Sequence, residues 1–131
     1  MFKQPTSSRS TWLKIVAYRA FWKVKIVENP AEVQLRKALR LEAGVGAYLF
    51  NQAMIHGFEV YYWREGSHEI DFVLRKGNKI TAIEVKTGFE YNAEPFEIFK
   101  KEYPKARTIL VGEHGIDLEQ FLTTPIETYL Q

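Results

Sequence analysis

Leu35, Leu39, Glu42, Gly46, Leu49 and Ala53 follow one another at steps of four or three, a helical stripe with one carboxylate set into it. Asn29, Pro30 and Glu32 give this helix an N-cap, a first residue and a capping-box acid, and Gly57 after His56 gives it an end. Gly44 and Gly46 each weaken it by up to about 1 kcal/mol relative to Ala. They allow a break near residues 40–44 and a close approach by another backbone or a ligand. Upstream, "TWLKIVAY" (11–18) suits either a strand or the start of a helix, and residues 1–10 form a flexible N-terminal segment.

Beyond Gly57 the pattern changes to alternation. "FEVYYWR" (58–64), "EIDFVLR" (69–75) and "KITAIEVK" (79–86) predict three strands, joined by the Gly-containing links "EGSH" and "KGN" into an antiparallel meander. "AEPFEIFKKEYP" (93–104) predicts a helix with Phe96, Phe99 and Tyr103 on one face. "RTILVG" (107–112) reads as a strand buried on both sides that pairs in parallel with a meander strand, because a helix precedes it. "DLEQFL" (117–122) is a short last helix and the Pro125 segment a tail. The predicted order, α-β-β-β-α-β-α, is that of one mixed sheet covered by helices.

The 131 residues suit one domain, spanning 11–131. Its composition is 46% hydrophobic and 26% charged, ordinary for a folded soluble chain, and its 15% aromatic content predicts ring-filled packing. A net charge of +2 is compatible with a polyanionic partner without arguing for one. The absence of Cys excludes disulfides and thiolate metal sites and fits a cytoplasmic setting. No apolar run is long enough to span a membrane.

Three carboxylates occupy apolar positions: Glu42 in the helix stripe, Asp71 between Ile70 and Phe72, and Glu84 between Ile83 and Val85. Lys86 shares the strand face of Glu84. If the two strands pair as a hairpin, Asp71 and Glu84 become neighbours, and a helix packed on that face can add Glu42. Two like charges about 4 Å apart repel by roughly 4 kcal/mol at an effective dielectric near 20. One Lys cannot cancel three acids, so some are protonated, or they diverge to solvent, or a divalent cation sits among them. Hard oxygen ligands point to Mg2+ or Mn2+. Such an ion polarises a phosphoryl oxygen, while Lys86 orients water and stabilises transition-state charge. A plain E-x-K ion pair at a sheet edge, a strand-end Asp capped by backbone donors and a solvated Glu42 are the simpler readings of the same residues.

An acid on a first helix, then Asp, then E-x-K on successive strands resembles the PD-(D/E)XK nuclease superfamily, restriction-enzyme-like and Holliday-junction-resolvase-like. More narrowly, "LEAGVGAYLFNQA", "VYYWREGSHEIDFVL", "ITAIEVKTG", "YPKARTILVG" and "GIDLEQFL" resemble the C-terminal domain of unknown function attached to prokaryotic AAA-type ATPases. The resemblance implies a restriction-endonuclease-like α-β-β-β-α-β core and a Mg2+-dependent DNA nuclease. It implies metal ligation by Asp71, Glu84 and the main-chain carbonyl of Val85, a catalytic Lys86 and a helix acid at Glu42. DNA, a second copy of the chain and an AAA-type ATPase are the partners it implies. A non-catalytic DNA- or protein-binding module of such an ATPase, or a truncated remnant of one, is the alternative. Two departures stand out. No G-x-x-x-x-G-K-[S/T] occurs, so no ATPase module is expected within this chain, and Ala17 stands where relatives carry Asp or Asn.

Arg75, Lys76 and Lys79 around the "KGN" turn, and Lys100, Lys101, Lys105 and Arg107 around the second helix, are the candidate phosphate contacts. The same residues suit solvated faces and protected sheet edges. Tyr61 and Trp63 are expected in the core with Tyr62 on the opposite face. His56, His68 and His114 lie at turns without metal-ligand spacing and are read as structural, His68 being close to Asp71 in sequence.

Overall fold

A computed structural model describes residues 10–14, 30–88 and 91–131. Pro30 opens the helix α1, Pro30–His56, and Gly57 closes it with an N–H donated to the Ala53 carbonyl at 2.9 Å. The helix runs unbroken through Gly44 and Gly46. Packing explains why: Val45 and Leu49 are 1% and 0% exposed, and their burial outweighs the propensity cost of two glycines. The expected N-cap Asn29, residues 15–18 of the "TWLKIVAY" run, Ala17 and residues 1–9 of the N-terminal segment lie outside the described residues.

The sheet has five strands in sequence order: β1 (Ser10–Lys14), β2 (Glu59–Glu65), β3 (His68–Lys76), β4 (Lys79–Lys86) and β5 (Arg107–Gly112). The first four pair antiparallel, and β5 joins β4 in parallel after the helix α2, Glu94–Glu102. Residues 10–14 are thus strand rather than helix, with Trp12 buried beneath α2. Two expectations need correction. β5 is an edge strand of the described sheet, and only Ile109 and Val111 are buried along it, so it alternates rather than being covered on both sides. The Pro125 segment is not a tail. After α3 (Leu118–Thr123), residues Ile126–Leu130 form a 3-10 helix that buries Ile126, Tyr129 and Leu130. Thr81 Oγ1 donates to the Tyr129 carbonyl at 2.6 Å, tying this segment to β4.

The sheet separates two cores. One gathers Val45 and Leu49 of α1 with Phe72, Leu74, Ile83, Val111, Phe121 and the 3-10 helix. The other, under α2, is aromatic: Trp63 meets Phe99 edge-on with centroids 5.2 Å apart, and Trp12 meets Tyr61 likewise at 5.2 Å. Tyr61 and Trp63 are in this second core, as alternation requires, and Tyr62 points to the other face. The coarse architecture is therefore a mixed α/β layer structure, with a mostly antiparallel sheet between helices.

β3 departs from alternation at one place. Tyr61 pairs with Val73 and Trp63 with Ile70, so Tyr62 alone faces two residues, Asp71 and Phe72. This is a β-bulge. Its effect is visible in the packing: Ile70 and Val73 belong to the aromatic core, Phe72 and Leu74 to the other.

Candidate functional site

The β3–β4 ladder begins at Lys76–Lys79 beside the turn and ends at Phe72–Ile83. The next opposed residues in that register are Asp71 and Glu84, and here the strands no longer pair through their backbones. Side chains take over. The Asp71 N–H donates to Glu84 Oε1 at 3.3 Å, and the Val85 N–H donates to Asp71 Oδ2 at 3.2 Å. Each carboxylate thus closes a backbone bond that the bulge has opened.

Burial decides the chemistry of the pair. Glu84 is 8% exposed, and desolvation is the main force pushing its carboxyl up to about 10, followed by its hydrogen bond to Asp71 and the Asp71 charge. The Asp71 N–H and the Lys86 ammonium pull the other way and do not prevail. Burial and the neighbouring Asp71 thus favour the protonated form of the Glu84 carboxyl. Lys86, two residues on, is exposed. Its charge reaches Glu84, yet among the described residues it makes no ion pair with a carboxylate.

Tyr62 sits against the bulge and donates its hydroxyl to Glu69. Its phenol is pushed up, first by burial, then by Glu69. Asp71 adds a smaller push in the same direction.

Glu42 is half-buried on α1. It precedes Val45 by three residues and Leu49 by seven, so it shares their stripe, which packs on the sheet face of Ile83 and Val85. Glu84 and Lys86 alternate with Ile83 and Val85 and share the parity of Ala82, which lies in the α2 core. Among the described residues, no three His, Cys, Asp or Glu side chains gather closely enough to hold a metal ion. Asp71 and Glu84 come together; Glu42 does not join them.

The basic candidates lie elsewhere. Lys76 and Lys79 are exposed at the turn, five residues from Asp71 and Glu84, about 17 Å along the strands. Arg75 is engaged by Glu59, its Nε donating to Oε1 at 2.8 Å. Lys100 and Lys101 are exposed in the last turn of α2, and Lys105 is exposed beyond it. Arg107 donates to the Thr128 carbonyl at 2.7 Å and lies over the Tyr129 ring. His56 contacts Glu127 at 2.5 Å and His68 contacts Glu94 at 3.4 Å. His114 instead stacks on Tyr91, a contact that residue spacing does not announce.

Residues 37–129 match the family model described as Domain of unknown function (DUF4143). The chain belongs to this family. Asp71, Glu84, Lys86 and Glu42 all fall within the matched stretch of the DUF4143 domain. No curated protein and no solved structure matches the chain. Among the described residues of this DUF4143 domain, no helix is long and apolar enough to cross a membrane.

Proposed function

We propose that the domain is a Mg2+-dependent phosphodiester hydrolase acting on DNA, with a restriction-endonuclease-like fold. The observation that carries this reading is the Asp71–Glu84 pair, Glu84 buried and Asp71 half-buried, at the end of a hairpin where the strands no longer pair. Two carboxylates there tolerate each other because one holds a proton, and a divalent cation can replace that proton on the same hard oxygens. Mg2+ or Mn2+ fits the donor set. The N–H and C=O of a strand residue project to the same edge. The Val85 carbonyl therefore shares the edge from which its N–H reaches Asp71, which suits it as a third ligand.

A bound Mg2+ would polarise a phosphoryl oxygen and lower the pKa of a coordinated water. The chain's own residues supply the rest. Asp71 and Glu84 fix the position, and Glu84 surrenders its proton. Lys86 would orient the attacking water and stabilise charge as the water oxygen bonds to phosphorus, its proton passing to solvent, and the ester P–O bond breaks, the leaving oxygen taking a proton from solvent. Glu42, half-buried on α1, is the helix acid of this reading. Exposed Lys76, Lys79, Lys100 and Lys101 would track DNA phosphates away from the scissile one. A cytoplasmic setting, an AAA-type ATPase partner and a homodimer that brings two sites to two strands complete the proposal.

A non-catalytic binding module is the second reading. It draws on the reciprocal hydrogen bonds, which satisfy Asp71 N–H and Val85 N–H without a cation.

Plasmid nicking with Mg2+ separates the two. Asp71→Asn and Lys86→Ala are expected to lose activity by about 10²- to 10³-fold. Lys86 is exposed, so its variant keeps the fold. Equal cleavage by wild type and variants, or no cleavage of supercoiled, linear or single-stranded DNA by the wild type, removes the hydrolase. Mn2+ titrations add a second check: affinity should rise with pH, because binding releases the Glu84 proton.

A further inference from the structure

β4 and β5 run parallel and end side by side, Lys86 opposite Gly112. Ligands of α/β sheets collect outside the carboxyl ends of such strands. The chain leaving β5 is turned back tightly there. Gly112 N–H donates to the Ile116 carbonyl at 2.9 Å, Gly115 N–H to the Gly112 carbonyl at 3.2 Å, and Ile116 N–H to the Leu110 carbonyl at 2.8 Å. A Cβ on Gly112 would lie 1.8 Å from the Lys86 carbonyl oxygen, so the turn is pressed onto β4 two residues beyond Glu84.

His114 stands within this turn, exposed. Tyr91, on the segment leaving β4, stacks on it with ring centroids 6.5 Å apart and planes 24° from parallel. Tyr91 remains 36% exposed. Its phenol is pushed up, first by burial and then by Glu84 and Glu97. The stacked pair Phe121–Tyr129 is buried in the core, where solvent exclusion accounts for it. An exposed ring pair on a pinned turn gains little that way.

We infer that Tyr91 and His114 form a stacking ledge for an unpaired nucleobase next to the phosphate held at Asp71, Glu84 and Lys86, so that the preferred substrate is single-stranded at the cut. The inference deepens the hydrolase reading and rests on it. Stacked, paired bases in a duplex already have both faces covered, whereas an unpaired base can offer one to the ledge. Base–aromatic stacking is tolerant of sequence, so the ledge would accept any unpaired base.

The test uses single-stranded and duplex oligonucleotides carrying 2-aminopurine, with Ca2+ replacing Mg2+, read by fluorescence quenching. Single-strand binding should quench the probe. The Tyr91→Ala/His114→Ala double variant should bind single strands about tenfold more weakly, with duplex binding unchanged. Tyr91→Phe/His114→Phe should bind like wild type, which also guards against misfolding as the cause. Wild-type binding by the Ala double variant, or an equal loss in the Phe double variant, overturns the ledge. Intact quenching with no nicking by wild type keeps the ledge and overturns the hydrolase alone.

Discussion

The two ends of the β3–β4 hairpin are built from the same strands and held by different means. At the turn, Lys76 faces Lys79 across a regular ladder, both side chains in water. At the open end, two carboxylates do the work of the missing backbone bonds, one of them buried and with its carboxyl pushed up. The turn end could be charged or neutral at little cost, because solvent screens it. The open end could not, because an unpaired ion there would cost several kcal/mol. Charge at one end is incidental to the fold; at the other it has to be managed by a proton or a cation.

Glycine substitutions should show the largest contrast. Gly112→Ala, at the open end, combines φ of 137° with a Cβ 1.8 Å from the Lys86 carbonyl. It should destabilise the domain by about 3 kcal/mol or more in a urea titration. Gly77→Ala, at the turn, also has positive φ, 61°, but nothing within 4 Å of the added Cβ. It should cost about 1–2 kcal/mol. Equal costs would show that the open end relaxes as freely as the turn.

Next in size is the response to pH. Glu84 has its carboxyl raised from 4.5 to about 10 on folding, so between these values the folded state binds more protons than the unfolded one. Its contribution is full below about pH 4.5 and is lost as pH climbs towards 10, with a slope of at most about 1.4 kcal/mol per unit. Glu84→Gln should remove this slope, making the variant gain on wild type in alkaline urea titrations. Parallel curves for the two proteins would mean that the carboxyl ionises freely in the fold.

The smallest effect belongs to Lys79→Ala. It relieves like-charge opposition with Lys76 and should shift stability by only a few tenths of a kcal/mol, with less effect at high salt. A loss beyond about 1 kcal/mol would show that the lysines hold the turn.

Periodicity makes three strands, three helices and the parallel return of β5 readable, because each buries one face against a covering layer. It also brings Asp71 and Glu84 together by register. Three features escape it. Glu42 shares a stripe with core residues, but period alone does not say which sheet face that stripe meets. The 126–130 segment is too short for a periodic signal, and its burial comes from contacts with β4 and α3. The bulge leaves a faint trace: apolar Ile70, Phe72, Val73 and Leu74 cannot all alternate on one ladder without a slip.

That slip has a further meaning. Excise Asp71 and the strand reads Ile70, Phe72, Val73, Leu74, each assigned to the layer it already occupies, with Tyr62 opposite Phe72. A hairpin one residue shorter would keep the same hydrophobic side chains alternating between the two layers. Asp71 is therefore surplus to packing, and a deletion variant lacking it should fold while losing whatever the carboxylate pair was assembled to bind.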